Sequence, residues 1–276
     1  MGFFATSGIL NERGFFAEGF DPDALDYINR VETADGERLE PRVRTAINQF
    51  VLGCKRDGVW TSLVASCIMA GARTVAGAIT PLVGNAPTNN NFVAGDYSRT
   101  LGLLGNDTDK NLATGYSNSD TTNFPQNNTH ISCYVSVSPT DNSGIFVGTA
   151  FGIGARLAIF KNGANSCIFQ NRSSTSRNAG FEGLGFQGST RNNSANFTSR
   201  ATQVGGIVSE VTTTAASTTP ANNLLGVFAG YATSSPPASQ FSAVRLSFYS
   251  IGKSLTLSSL DSRVTNLMNT LASVLP

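Results

Sequence analysis

His130 is the only imidazole in the 276 residues, so side-chain acid–base chemistry centred near neutral pH would have to pass through it. It lies in HISCYVSVSP, where Ile131, Cys133, Val135 and Val137 alternate with His130, Ser132, Tyr134 and Ser136. A period of two describes a strand with one face in a core and the other in water, and it places His130 on the wet face beside Tyr134. A Ser/His/Asp relay needs both partners within hydrogen-bond reach of the ring, and no GxSxG elbow offers the serine. His130 therefore reads as a surface or interface residue. Glycan hydrolysis would need two carboxyl groups about 5–5.5 Å or 6.5–9.5 Å apart. Glu182 and Glu210 stand alone, and Glu32, Glu37 and Glu40 fall in a helical region. Each reads as a solvated charge, so no catalytic residue is expected and the chain is not expected to be an enzyme.

Metal and cofactor chemistry is equally thin. Cys54, Cys67, Cys133 and Cys167 are far apart and lack CxxC spacing, which argues against zinc and against a redox pair. They read first as buried thiols, with two disulfides left open. Gly152-Ile153-Gly154 lacks the third glycine of a dinucleotide loop and runs into a strand-like segment rather than a helix. Asn106, Asp107, Asp109 and Asp120 carry the oxygen donors calcium prefers, yet Asx residues are ordinary turn formers and no EF-hand spacing is present. No cofactor is expected, and calcium is the one ligand left open.

Composition says what must position such residues. Only 13% of the chain is charged, the net charge is +1 and 40% is hydrophobic. Few charges with many Ser, Thr, Asn and Gly describe a β-rich protein with tight turns. The charge balance removes the electrostatic argument for nucleic acid. No segment is continuously apolar for the ~18–20 residues of a membrane helix, and the first residues do not read as a signal peptide.

Four regions follow along the chain. Residues 1–20 form a phenylalanine-rich arm, in which Gly2-Phe3-Phe4 returns as Gly14-Phe15-Phe16. Residues 21–84 read as helical. Asp21-Pro22 starts a first helix through Leu25, Ile28 and Val31 to Gly36. Leu39, Val43, Ile47, Phe50, Val51 and Cys54 mark a second, and Trp60, Leu63, Val64, Cys67 and Ile68 a third. Residues 85–276 form the sandwich region, in which the period becomes two from Asn91, with short strands expected at 92–94, 131–137, 145–149, 157–160, 167–170, 206–211, 224–229 and 244–250. Turn clusters between them indicate an antiparallel sandwich or jelly roll. GFEGLGFQGSTRNNSANFTSRATQ reads as a mobile or interface loop. Leu257, Leu260, Val264, Leu267, Leu271 and Val274 close the 85–276 region with a helix.

Gly102-Leu103-Leu104-Gly105-Asn106, NNTHISCYVSV and Phe248-Tyr249-Ser250-Ile251-Gly252 ahead of the last helix have a further meaning. Together with the surrounding segments they resemble the laminin-G-like, concanavalin A-like lectin domains of tailed-bacteriophage structural proteins. The resemblance covers about residues 80–275 and the helical segment before them, and its motifs are structural glycines and core residues. It implies a concanavalin-like jelly roll in a virion component of the tail, baseplate, fibre or capsid surface, a homo-oligomer that could attach to a host glycan. Lectins of this architecture hold sugars on loops, with Asp and Asn contacts and an aromatic platform. Tyr97, Tyr116 and Tyr231 would be the platforms here, and Asn106, Asp107 and Asp109 the polar contacts. The alternative is a carbohydrate-active enzyme or a free lectin.

The arm then acquires a role. In a virion component, Phe3, Phe4, Phe15 and Phe16 would dock on neighbouring subunits, since aromatics recover the most apolar area per residue fixed. The competing arrangement folds the arm back on residues 22–55 of its own chain.

Overall fold

The structure, a computed structural model, describes residues 19–139, 143–152, 155–163, 166–180, 183–203 and 206–275. The arm phenylalanines Phe3, Phe4, Phe15 and Phe16 lie outside the described residues, as do Glu182 and the centre of the Gly152-Ile153-Gly154 run.

Helix α1 spans Pro22–Asp35, with Asp21 as its cap accepting the Asp23 N–H at 2.9 Å and Gly36 ending it at φ 69°. Helix α2 spans Pro41–Arg56 and buries Val43, Ile47, Phe50, Val51 and Cys54. A single turn, α3 at Val75–Ala78, follows later, and α4 at Leu257–Val274 closes the chain with Leu260, Val264, Leu267 and Leu271 buried.

The rest is antiparallel β. One nine-stranded sheet runs Val208–Thr214, Asn196–Thr202, Gly185–Arg191, Thr129–Val137, Arg245–Gly252, Leu63–Ile68 and Pro81–Val83. Gly102–Leu104 also pairs with Arg245–Gly252 and carries Tyr97–Ser98. The second sheet has seven strands: Arg177–Asn178, Cys167–Asn171, Leu157–Asn162, Ser143–Gly148, Leu224–Val227, Asn111–Ser117 and Thr88–Asn90. Ile131, Cys133, Val135, Leu246, Tyr249 and Ile251 of the first sheet form one core with Phe146, Leu157, Ile159, Phe169, Leu225 and Val227 of the second. The fold is therefore mainly β, a sandwich of antiparallel sheets with helices before it and a C-terminal helix, as expected.

The other face of the nine-stranded sheet is covered as well. Phe248, Phe186, Ile68 and Leu82 share a second core with α1, α2 and α4, and Phe50 of α2 meets Phe248 edge-on at 5.9 Å between ring centroids. The molecule thus has three layers: helices, nine-stranded sheet and seven-stranded sheet.

This layering corrects several expectations. The third helix is a 3-10 turn at Trp60–Ser62 followed by the strand Leu63–Ile68; a strand buried on both faces shows a continuous apolar run that imitates a helix. The boundary at residue 84 is consequently not a structural one, because Leu63–Ile68 and Pro81–Val83 belong to the large sheet. His130 and Ser132 are fully buried, and Tyr134 packs against the helix-side core, so the face expected to be wet is roofed by helices. The segment read as a loop contributes Gly185–Arg191 and Asn196–Thr202 to the same sheet. Its buried Gln187, Ser189 and Arg191 hide the strand signal. Phe92–Ala94 is no strand; Phe92 N–H is held by Asn89 Oδ1 at 3.0 Å, ahead of a 3-10 turn at Ala94–Asp96.

Glycines of the quoted motifs have steric reasons. Gly102 adopts φ 83° and a Cβ there would run into the Leu246 carbonyl. Because Phe248 joins sheet to helices with no exposed surface, Phe248→Ala should cost about 3–5 kcal/mol of unfolding free energy. Urea denaturation measures this directly, and a loss below about 1 kcal/mol would mean that the helix layer does not rest on this residue.

Candidate functional site

His130 sits under the turn that feeds α4. Its strand pairs it with Gly252 on one side and Thr190 on the other, and its ring lies among Ser132, Ser250 and the Lys253 carbonyl. Nδ1 is 2.6 Å from the Lys253 oxygen and Nε2 is 2.9 Å from Ser250 Oγ, which is 2.8 Å from Ser132 Oγ. Since a carbonyl only accepts, Nδ1 carries the proton; a neutral ring then accepts from the Ser250 hydroxyl at Nε2. Burial pushes the His130 pKa down to about 4, against the partial support of the Lys253 carbonyl. The serine–histidine pair has the contacts of a relay, but a fully enclosed ring whose other nitrogen holds a backbone carbonyl is a structural clamp. Ser254 N–H and Oγ both donate to Asn128 Oδ1, at 2.8 and 2.6 Å, and complete the fixing of that turn.

The residues expected to meet a sugar are partly brought together. Tyr97 is half-buried, donates its hydroxyl to the Ala72 carbonyl at 2.8 Å, and edges a cleft of about 600 Å³ with Val75, Ile79, Phe92 and Val93. Val93 is 60% exposed at its mouth. Burial raises the Tyr97 pKa, so the hydroxyl stays protonated. The turn at 106–110 is tied to this region by the ion pair of Lys110 with Asp96 and by Asn91 Nδ2, which donates to Asp109 Oδ2 at 3.1 Å. Within the turn, Asn106 Oδ1 accepts the Thr108, Asp109 and Lys110 N–H groups at 3.2, 3.1 and 3.0 Å, and Asn106 Nδ2 donates to Asp109 Oδ1 at 2.7 Å. Asp107 is exposed and adopts φ 58°. Asn106 and Asp109 therefore shape the turn that carries Asp107. Asp120 does the same elsewhere, accepting Thr122 and Asn123 N–H at 3.0 Å each. No group of three or more His, Cys, Asp or Glu suited to a metal occurs among the described residues.

The other two tyrosines stand apart. Tyr231 is 1% exposed with its hydroxyl on Asn111 Oδ1 at 2.7 Å; a ring enclosed on both faces offers no platform, which corrects its assignment. Tyr116 is half-buried edge-on against Phe124 at 5.5 Å. All four cysteines are free and buried, and burial pushes Cys54, Cys67 and Cys167 up to about 12, so they are poor nucleophiles.

Two features escaped the sequence. Arg156 lies over the rings of Phe151 and Phe160 at 5.1 and 4.8 Å, and its Nε and Nη1 have no acceptor among the described residues; nothing in the spacing announces this contact. The second is an open cleft of about 690 Å³ between α2 and α4, floored by Ala46, Phe50 and Leu267 and rimmed by Arg42 and Arg56. Each helix shows its apolar stripe in sequence, but their crossing is a tertiary fact.

No protein-family model and no curated protein sequence matches the chain. Among solved structures it is similar to a protein of unknown function from Shewanella oneidensis MR-1, with TM-score 0.37 and 12% identity over 62% of this chain and 76% of that one. It is also similar to Trypanosoma rangeli sialidase in complex with sialic acid, with TM-score 0.37 and 11% identity over 76% of this chain. Here the chain spans only 33% of the sialidase. A third is domain 4 of AbnA, a GH43 extracellular arabinanase from Geobacillus stearothermophilus, in complex with arabinotriose, with TM-score 0.32 and 12% identity over 66% and 82% of the two chains. Likeness at this level carries no substrate or activity to this chain.

His130 does generate a measurable consequence. Its folded pKa of about 4 lies below its ordinary 6.5, so between those values the unfolded chain binds more protons. The stability His130 contributes is complete above about pH 6.5 and is lost as pH falls towards 4, by roughly 3 kcal/mol. Unfolding free energies from pH 7.5 to 4 should therefore fall more steeply for the parent than for His130→Gln. Equal slopes would show that His130 does not titrate between the two states.

Proposed function

We infer that the chain is a structural component of a tailed-phage particle, a concanavalin-like sandwich carried on a helical base, and that it is not an enzyme. The observation that carries this reading is the asymmetry of the three layers. Helices seal one face of the sandwich, and Gly19 and Phe20, the described residues that follow the first eighteen, are held on that same side. Asp21 N–H donates to Asn48 Oδ1 of α2 at 2.8 Å, Asn48 Nδ2 donates to the Gly19 carbonyl at 3.2 Å, and Arg44 lies over the Phe20 ring at 5.8 Å. Such a base suits attachment to neighbouring subunits through Phe3, Phe4, Phe15 and Phe16. The resemblance of the glycine and core motifs to phage lectin-like domains supplies the virion context. The enclosed His130 ring supports a non-catalytic role.

Mass spectrometry of purified particles should find the chain at a fixed copy number. Changing Phe3, Phe4, Phe15 and Phe16 together to Ala should abolish incorporation while shifting the melting temperature by less than about 4 °C, the size of a ~1 kcal/mol effect in domains of this kind. A variant that melts far lower yet still incorporates would place the arm in its own domain's core and end the docking reading.

A second role, attachment to a host glycan, is favoured by one observation: Tyr97, an apolar cleft and the Asp107 turn converge at one edge. Val93→Asp and Tyr97→Ala should each weaken binding to a positive glycan at least ~10-fold on an array. Unchanged binding by both variants moves the sugar elsewhere.

A further inference from the structure

We propose that the cleft between α2 and α4 is the receptor for Gly2-Phe3-Phe4 of a second copy of this chain. The inference rests on the docking reading above and assigns its address. The cleft, about 690 Å³, lies within the ~300–1,000 Å³ of built ligand sites. Ala46, Phe50 and Leu267 make its floor, and Leu52, 37% exposed, stands at its edge. Arg263, which also lines it, is already committed to Asp57 through two contacts of 2.7 and 2.9 Å, which leaves Arg42 and Arg56 as the charged groups at the rim beside the uncharged Thr45, Gln49, Asn266 and Thr270. An apolar floor with guanidinium groups at the rim suits phenyl rings, which arginines cover by cation–π contact. Helix α2 already treats one phenylalanine of this segment in that way, since Arg44 lies over Phe20.

Chain length selects the motif, and the docking reading supplies the donor. Gly19 is pinned to Asn48, and Phe16 is three residues from it. Three residues reach roughly 10 Å, so the proximal pair can meet only what lies close to Gly19. Phe4 is fifteen residues from Gly19, which allows roughly 50 Å, enough to cross to a neighbour. The distal pair is therefore the one with the reach to enter a cleft far from Gly19.

Cysteine trapping in the full chain tests this, because the four native thiols are buried and do not compete. Chains carrying Thr6→Cys, beside the distal pair, are mixed with chains carrying Thr270→Cys, an exposed position lining the cleft, and oxidised with diamide. The expected result is a disulfide heterodimer at least ~10-fold above that formed with a control Thr214→Cys chain. It should be lost when Phe3 and Phe4 are also changed to Ala, and lost with Leu52→Glu, an exposed substitution that leaves the fold intact. Self-association by light scattering that depends on Phe3 and Phe4, but without the heterodimer, would overturn the cleft assignment and leave subunit docking standing. Cross-linking only within a chain carrying both cysteines would show that the arm fills its own cleft, overturning the assignment to a second copy. Absence of both association and cross-link would remove the second copy as occupant; virion incorporation of the quadruple phenylalanine variant would separately decide the docking reading.

Discussion

The contact between Phe50 and Phe248 fastens a helical layer onto a sheet whose opposite face is already packed, and much of the architecture answers to that double burial. A sheet with one free face can alternate apolar with charged residues. A sheet enclosed on both faces needs small or uncharged polar side chains wherever it is not apolar, with partners found inside the protein. Ser132, Ser250, Gln187 and Ser189 are of this kind, all buried in the large sheet. His130 belongs with them: its neutral form is held between the Ser250 hydroxyl and the Lys253 carbonyl. Low overall charge thus follows from the layering as well as from the β-rich fold.

Several of the ion pairs are placed where elements meet. Arg263 of α4 grips Asp57 at the end of α2, and Arg200 of the Asn196–Thr202 strand reaches Asp261 of α4 at 2.7 Å. Arg99 holds Glu40, just before α2, through contacts of 3.0 and 2.7 Å, and this pairing brings the carboxyl down to about 2. Partly exposed pairs contribute little stability individually. Their geometry still specifies how helices sit on the sheet, a choice that greasy contacts alone leave loose.

The sequence was legible where one physical signal dominated. The Asp21-Pro22 start and the Gly36 stop of α1 rest on local capping chemistry, and the stripe of α4 on a clear helical period, so both stand in the structure as read. The change to period two similarly marks the strands around Ile131. Leu63–Ile68 misled because burial on both faces erases alternation. Gly185–Arg191 misled for the opposite reason, since its polar side chains are satisfied by neighbouring strands that sequence proximity does not reveal. Of the expected sugar contacts, Tyr97 and the Asn106–Asp109 turn do approach one edge through Lys110 and Asp96, whereas Tyr231 disappears into the sandwich. Pairings over such separations depend on the sheet order, which strand patterns alone do not specify.

Buried arginines show how a chain with so few carboxylates closes its irregular end. Arg172, fully buried and at φ 55°, donates from Nη1 to the Asn118 carbonyl at 2.7 Å and from Nη2 to the Phe124 carbonyl at 3.0 Å. Arg191 reaches the Asn171 and Ala215 carbonyls at 2.9 Å each. Burial, with Arg191 nearby, brings Arg172 down to about 9, which still leaves it protonated at neutral pH. Backbone carbonyls therefore solvate these charges in place of acidic partners. Each guanidinium, with five donors in a rigid plane, can tie several loop carbonyls together. Lysine, with one point of charge, could not span the same set. These contacts fix the loops at 118, 124 and 215 by their backbones, and because Asn118, Phe124 and Ala215 are themselves buried, with the Asn118 side chain also accepting from Arg172, the same points close this end of the sandwich by packing as well as by charge.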